Sequence, residues 1–497
     1  MDNQRHSEDC MTASKAAPRF GNVGSRRALR GPRGRFLESH FWQGRKFWIL
    51  AAWLALVFLL GGGSRSDIQS LILLRPVSVI VFGYGLVELT SDVVRQNRFV
   101  LSLAALWIAL PLLQLVPLPP SIWHSLPGRE IIVEIDRTAR FGDIWRPMTM
   151  APAATRNAFW SSFAPLATLV LAVQLTLHQQ VRLVGIILVL GLASAFLGLV
   201  QLLSEPQGPF YLYAVTNNGA AVGLFANRNH QALLLASMIP MLFVWTRAHR
   251  GVRRQRVLVG LSAREIGALL AGLFLIPLIL VTGSRSGMLC ASIGLLTLPL
   301  FSETGQAGNF ESGKIGPLRT ALFLTGLVGL VGLTIWLDRA EAFTRLVTSD
   351  PATDLRVRVL PTLWTMIGTH FPWGSGMGSF EKVYQIYEPD GLLSSKYMNH
   401  AHNDWLELAL TGGVPGMLIL AVAILGFGKR LVAVARARDG SPVNRLGRLG
   451  LAVLGLILLA SLSDYPLRVP SLACMAALLA VWAGAAVAKP PDSPQKS

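Results

Sequence analysis

At 497 residues, 52% hydrophobic and only 14% charged, the chain is too apolar for a soluble fold of its size, and it carries many separate apolar runs. Only helices and closed barrels satisfy backbone groups inside lipid, and the absence of two-residue alternation excludes a barrel, so an all-α polytopic membrane protein is expected. The net charge of +18 would suit nucleic acid, but its placement argues otherwise. Arg19, Arg26, Arg27, Arg30, Arg33, Arg35, Arg45 and Lys46 precede the first apolar run. Arg247, Arg250, Arg253, Arg254 and Arg256 fill one short loop, and Lys429, Arg430, Arg436, Arg438, Arg445 and Arg448 fill another. With a cytoplasmic N-terminus all three clusters fall on the cytoplasmic side, so the charge marks topology and contact with anionic membrane lipid, with no nucleic-acid partner.

Residues 1–46 read as a disordered, basic cytoplasmic arm. The run from about Phe47 to Leu60 is a retained first span, because no small-residue cleavage pattern follows it. Spans two and three cover about Leu71 to Leu89 and Phe99 to Val116, with Arg75 snorkelling from the second. Residues 117–155 form an outer segment rich in proline and interfacial tryptophan. Spans four and five follow, about Phe159 to Leu177 and Val181 to Leu203.

A second outer loop brings Phe225-Ala226-Asn227-Arg228-Asn229-His230 to the start of span six, which ends at Trp245. These residues either hold an anion at a helix N-terminus or simply cap it. Spans seven and eight, about Ile266 to Val281 and Met288 to Phe301, are separated only by Thr282-Gly283-Ser284-Arg285-Ser286-Gly287. That tight outer hairpin runs against the positive-inside bias and presents a guanidinium suited to phosphate. Span nine, about Leu322 to Trp336, holds three glycines for close helix packing.

A long outer loop leads to span ten, which ends near Phe427. Span eleven covers about Leu449 to Leu462, and the turn Ser463-Asp464-Tyr465-Pro466-Leu467-Arg468 joins it to span twelve. The expectation is a transmembrane bundle of about 12 spans, with a long, partly helical outer loop between spans 9 and 10. Its parts are the arm 1–46, spans 1–9 in 47–337, the loop 338–405, spans 10–12 in 406–487 and a cytoplasmic tail 488–497.

Chemistry concentrates where the long loop ends, at His400-Ala401-His402-Asn403-Asp404-Trp405. A histidine there can take a proton from a hydroxyl if a partner orients it, and Asn403 or Asp404 is the expected partner. No third ligand stands nearby at an accepted spacing, and Cys10, Cys290 and Cys474 lie in the tail or in apolar runs, so neither a metal site nor an outer disulfide is expected. Earlier in the loop come Arg356 and Arg358 on a short helix, then Pro372-Trp373-Gly374-Ser375-Gly376-Met377-Gly378-Ser379-Phe380. The glycines read as a tight turn rather than a phosphate cradle. Tyr384, Tyr387 and Tyr397 either line a sugar groove or sit in an interfacial belt.

His402-Asn403, nine residues, Gly413, two residues, Gly416 resembles the signature of the bacterial O-antigen ligase and O-antigen polymerase family. The Phe225–His230 stretch, the Arg285 hairpin, the glycine turn ending at Phe380 and Asp464–Arg468 agree with it. The resemblance implies transfer of an undecaprenyl-diphosphate-linked glycan to a sugar hydroxyl of lipid A-core or of a growing polysaccharide. The site would face the periplasm from the bacterial inner membrane, with no nucleotide sugar, metal or other cofactor. It puts the essential histidine at His402 and the hairpin arginine at Arg285. Arg356 or Arg358 would be a second diphosphate ligand, with Arg228, His400 and Asn403 as further substrate contacts. Two other classes fit the span count: a twelve-helix transporter or flippase of lipid-linked glycans, and a non-catalytic scaffold, for which His402 and Arg285 would be dispensable.

Overall fold

The computed structural model describes residues 32–247, 262–301, 355–393, 397–436 and 441–485. Most of the basic arm, the basic loop after Arg247, span nine, the first part of the long loop and the C-terminal tail lie outside these residues. The chain divides into residues 1–44 and 45–497. The described part of the first unit is the opening of helix Pro32–Leu60, and all packing below belongs to the second.

The described residues are largely helical, as the apolar runs require. Four helices are long and apolar enough to cross a membrane by length and composition: Leu177–Leu203, Ala263–Val281, Asp404–Arg436 and Pro442–Ala460. Leu71–Val87, Arg98–Gln114 and Arg228–Arg247 are further helices on expected spans, and Pro470–Ala485 packs along Pro442–Ala460. The run expected as span four is broken into Pro152–Ser161 and Phe163–Ala172. Pro165 is the third residue of the second piece and has no N–H for the carbonyl of Ser161, so the regular bonding lapses there.

One apolar core holds the bundle together, drawing Trp53, Ile187, Leu234, Met238, Leu456, Met475 and Trp482 from five helices. A smaller core lies outside it. Val359, Leu363, Met366, Phe380, Val383, Tyr384, Met398 and Ala401 pack on Leu410, which seats the loop's short helices on the first turns of Asp404–Arg436. The strands among the described residues are one antiparallel pair, Pro117–Leu118 with Arg146–Pro147. Next to this pair Arg129 is buried, donating to the carbonyls of Pro127, Met148 and Gly374 at 2.8–2.9 Å.

Helix Asp404–Arg436 is kinked at Gly413, whose φ of 56° and ψ of −153° are not helical. Pro415 cannot donate to Thr411, and the kink parts Val414 from Leu410, so two carbonyls and one amide lose their helical partners. The glycine-rich turn supplies all three. Ser375 N donates to Leu410 O at 2.8 Å, Gly376 N to Thr411 O at 3.0 Å, and Val414 N donates to Pro372 O at 2.8 Å. A side chain at Gly413 would put its Cβ 2.3 Å from Pro372 O. The glycine stretch is thus the tight turn expected from the sequence, and it serves as a structural plug: the amides of Ser375 and Gly376 go to the kinked helix and that of Met377 to Gln114 Oε1 at 2.7 Å.

Candidate functional site

Asn403 begins the kinked helix. Its Oδ1 accepts from the amides of Trp405 and Leu406, both at 3.0 Å, and its Nδ2 donates to Leu462 O. Asp404 is equally occupied: Ser461 Oγ, Leu467 N and Arg468 Nε all donate to its carboxylate at 3.1–3.2 Å. These bonds tie the helix start to the turn 461–468. Neither residue is therefore the orienting partner of His402, contrary to the sequence expectation.

That partner comes from the turn. His402 takes a left-handed backbone conformation, φ 51°, and its buried Nδ1 lies 3.4 Å from Asp464 Oδ1. The ring is about a quarter exposed, and of its two nitrogens Nδ1 is the buried one. A buried carboxylate behind one ring nitrogen of a partly exposed imidazole is an arrangement that an oriented general base requires. Asp464 is 2% exposed. Its Oδ2 accepts from Asn229 Nδ2 at 2.7 Å and Asn227 Nδ2 at 3.4 Å, and its Oδ1 accepts from the amide of Tyr465 at 3.0 Å. Burial alone would raise this carboxyl, but His230, the His402 contact and Arg356 together hold it well below the usual carboxylate range. The asparagines before His230 therefore do more than cap a helix: they hold the carboxylate.

A second carboxylate and imidazole stand alongside. His400 Nδ1 is 3.0 Å from Glu407 Oε1, which is also 3.5 Å from Arg468 Nη2. The other oxygen of Glu407 accepts from the amide of Ala401 at 2.9 Å. The rings of His400, His402 and His230 all lie against Tyr465, with centroids 4.6, 4.9 and 5.2 Å away. Burial first, then Asp464, pushes the Tyr465 hydroxyl well above its ordinary value, so it stays neutral as a packing platform.

The arginines separate. Arg356 is half-buried, and its charge reaches both Asp464 and Tyr465. Arg358 is exposed and donates to Gly391 O at 3.3 Å. Of the two, Arg356 faces the histidine cluster. Arg285 opens helix Arg285–Leu296, capped by Ser284 Oγ, which accepts from Gly287 N at 3.0 Å. Gly287 sits so close to Ala232 that a Cβ there would come within 2.3 Å of Ala232 Cβ. That places Arg285 at the end of the bundle where Arg228 and His230 begin their helix. Among the described residues, no group of three or more His, Cys, Asp and Glu side chains is set to hold a metal ion.

Sequence reasoning assigned no chemistry to Asp464, Glu407 or Arg468. A signal existed for the first, since Asp464 is the one acidic residue between 440 and 491 and sits in a short turn between two apolar helices.

Residues 269–421 match the O-antigen ligase family. The chain carries a domain of the O-antigen ligase family. The match spans Arg285, Arg356, Arg358, His400, His402 and Asn403, whereas Arg228, Asp464 and Arg468 lie outside it. The geometry thus joins the O-antigen ligase domain to the turn that follows it in the chain. Together with the apolar helices, the family makes this a membrane protein. No curated protein matches the chain.

Proposed function

We propose that the protein transfers a glycan from undecaprenyl diphosphate to a sugar hydroxyl, of lipid A-core or of a growing polysaccharide, at the periplasmic face of the bacterial inner membrane. The observation that carries this reading is the contact of His402 Nδ1 with buried Asp464, in a chain whose residues 269–421, His402 among them, match the O-antigen ligase family.

His402 Nε2 accepts the proton of the acceptor hydroxyl while that oxygen attacks the anomeric carbon from the face opposite the diphosphate. The bond from that carbon to the phosphate oxygen breaks, its electron pair leaves with undecaprenyl diphosphate, and the new glycosidic bond has inverted configuration. Asp464 stabilises the imidazolium that forms. Arg285 and Arg356, with Arg228 at the same end of the bundle, take up the charge that the diphosphate gains, a task for which the planar guanidinium is suited. His400 lies beside His402 on Tyr465 and lines the same site, while Asn403 serves the helix start and Arg358 the loop.

Complementation of a deletion strain tests this. His402→Ala should insert at the level of the unaltered chain yet restore no glycan transfer. Full restoration by that variant would remove the base and with it the reading.

A further inference from the structure

His230 is 2% exposed, and neither of its ring nitrogens has a hydrogen-bond partner among the described residues. An unpaired buried polar group is destabilising, so a phenyl ring would serve packing better. The imidazole stands edge-on to Tyr465, at 74°, and to Phe225, at 66°. Its Nε2 lies 3.9 Å from Asp464 Oδ1, the same oxygen that is 3.4 Å from His402 Nδ1. The two oxygens of Asp464 thus have different surroundings. Oδ2 is held by the amides of Asn229 and Asn227, whereas Oδ1, fixed by the Tyr465 amide, stands between two imidazoles with a full hydrogen bond to neither.

We propose that His230 is a positioning residue that shares Asp464 with His402 and so sets how readily His402 takes a proton. This deepens the glycan-transfer reading and rests on it. A proton on His230 Nε2 leaning on Oδ1 draws carboxylate charge away from His402 and makes it a weaker base. Without that proton the whole charge acts on the His402 imidazolium. The other titratable and charged groups around His402 are His400, Asp404 and Glu407 on its own segment, Tyr465 and Arg468 on the turn, and Arg356 on the short helix. Substitution at 230 leaves all of them in place.

The test is site-resolved modification of His402 by diethyl pyrocarbonate, followed by mass spectrometry across pH on the purified full chain, since only the neutral ring reacts. In His230→Phe the midpoint should rise by about half a unit to one unit, and the acid limb of kcat/KM should move the same way. If that variant does not fold, His230→Asn, whose shorter amide falls away from Oδ1, should show the same rise. An unchanged midpoint in a folded variant overturns the proposal. The labelling does not depend on transfer, so its failure is separate from failure of the glycan-transfer reading, which an active His402→Ala would signal.

Discussion

Asp464→Asn changes one charge and little shape, which makes it the sharpest probe of the dyad. Its single remaining oxygen can serve Tyr465 N and His402 at the Oδ1 position, or Asn229 at the Oδ2 position, but not both. One lost hydrogen bond costs about 1 kcal/mol of stability, so the variant should fold with a modest fall in Tm. The catalytic cost is larger. At an effective dielectric of about 20, a full charge pair 3.4 Å apart is worth about 5 kcal/mol. Solvent at the exposed edge of His402 screens part of that. About 3–4 kcal/mol of support for the imidazolium remains, a loss of about 10²–10³-fold in transfer rate. The assay is transfer from a defined undecaprenyl-diphosphate glycan by reconstituted protein, with Tm measured on the same preparation. A folded Asp464→Asn that transfers at the unaltered rate would refute the orienting role. Asp464→Ala should behave differently, since it strands Asn229 and the Tyr465 amide as well as His402, and should lower Tm sharply.

Arg356→Ala should reduce transfer by about 10²-fold or more, while Arg358→Ala stays within about twofold; equal effects in the transfer assay would contradict the assignment of Arg356 to the site. Gly376→Ala should cost about 3–5 kcal/mol of stability, because φ is +109° and the new Cβ would lie 1.9 Å from Thr149 Oγ1; a Tm equal to that of the unaltered chain would count against the plug. Burial first, then Arg129, lowers the His370 imidazole to about 4. Its folded value lies below the ordinary one, so the stability it permits is present above pH 6.5 and is lost as pH falls toward 4, by about 3 kcal/mol at most. Thermal unfolding between pH 7 and 5 should therefore show a steeper loss in the unaltered chain than in His370→Gln, and identical slopes would exclude that residue as the cause.

The apolar runs made the helices legible, because burying about 20 apolar residues in lipid leaves the backbone few choices. The break before Phe163 was missed, since hydropathy does not register a missing N–H at Pro165. At the site, residue type pointed to His402 and to Arg285, and the glycine turn was read correctly as a turn. The choice between Arg356 and Arg358 needed coordinates, because two arginines two residues apart on one short helix differ only in which way each faces. The partner of His402 was misassigned for a related reason. Asn403 and Asp404 are adjacent in the chain, but the helix start and Arg468 consume their hydrogen-bonding capacity, and the carboxylate beside His402 Nδ1 is brought in by the following helix hairpin. Glycines 413 and 416 look like part of a catalytic signature in the sequence. In the structure they make room, Gly413 for the backbone of Pro372–Gly374 and Gly416 for Leu408.

The most direct measurement is to incubate vesicles containing the purified protein with a defined undecaprenyl-diphosphate glycan and a candidate acceptor, and to determine the anomeric configuration of any product by NMR. The account predicts a new glycosidic bond of inverted configuration, absent with His402→Ala. Movement of the labelled lipid-linked glycan across the bilayer with no new bond, or a product that retains the donor's configuration, would contradict it.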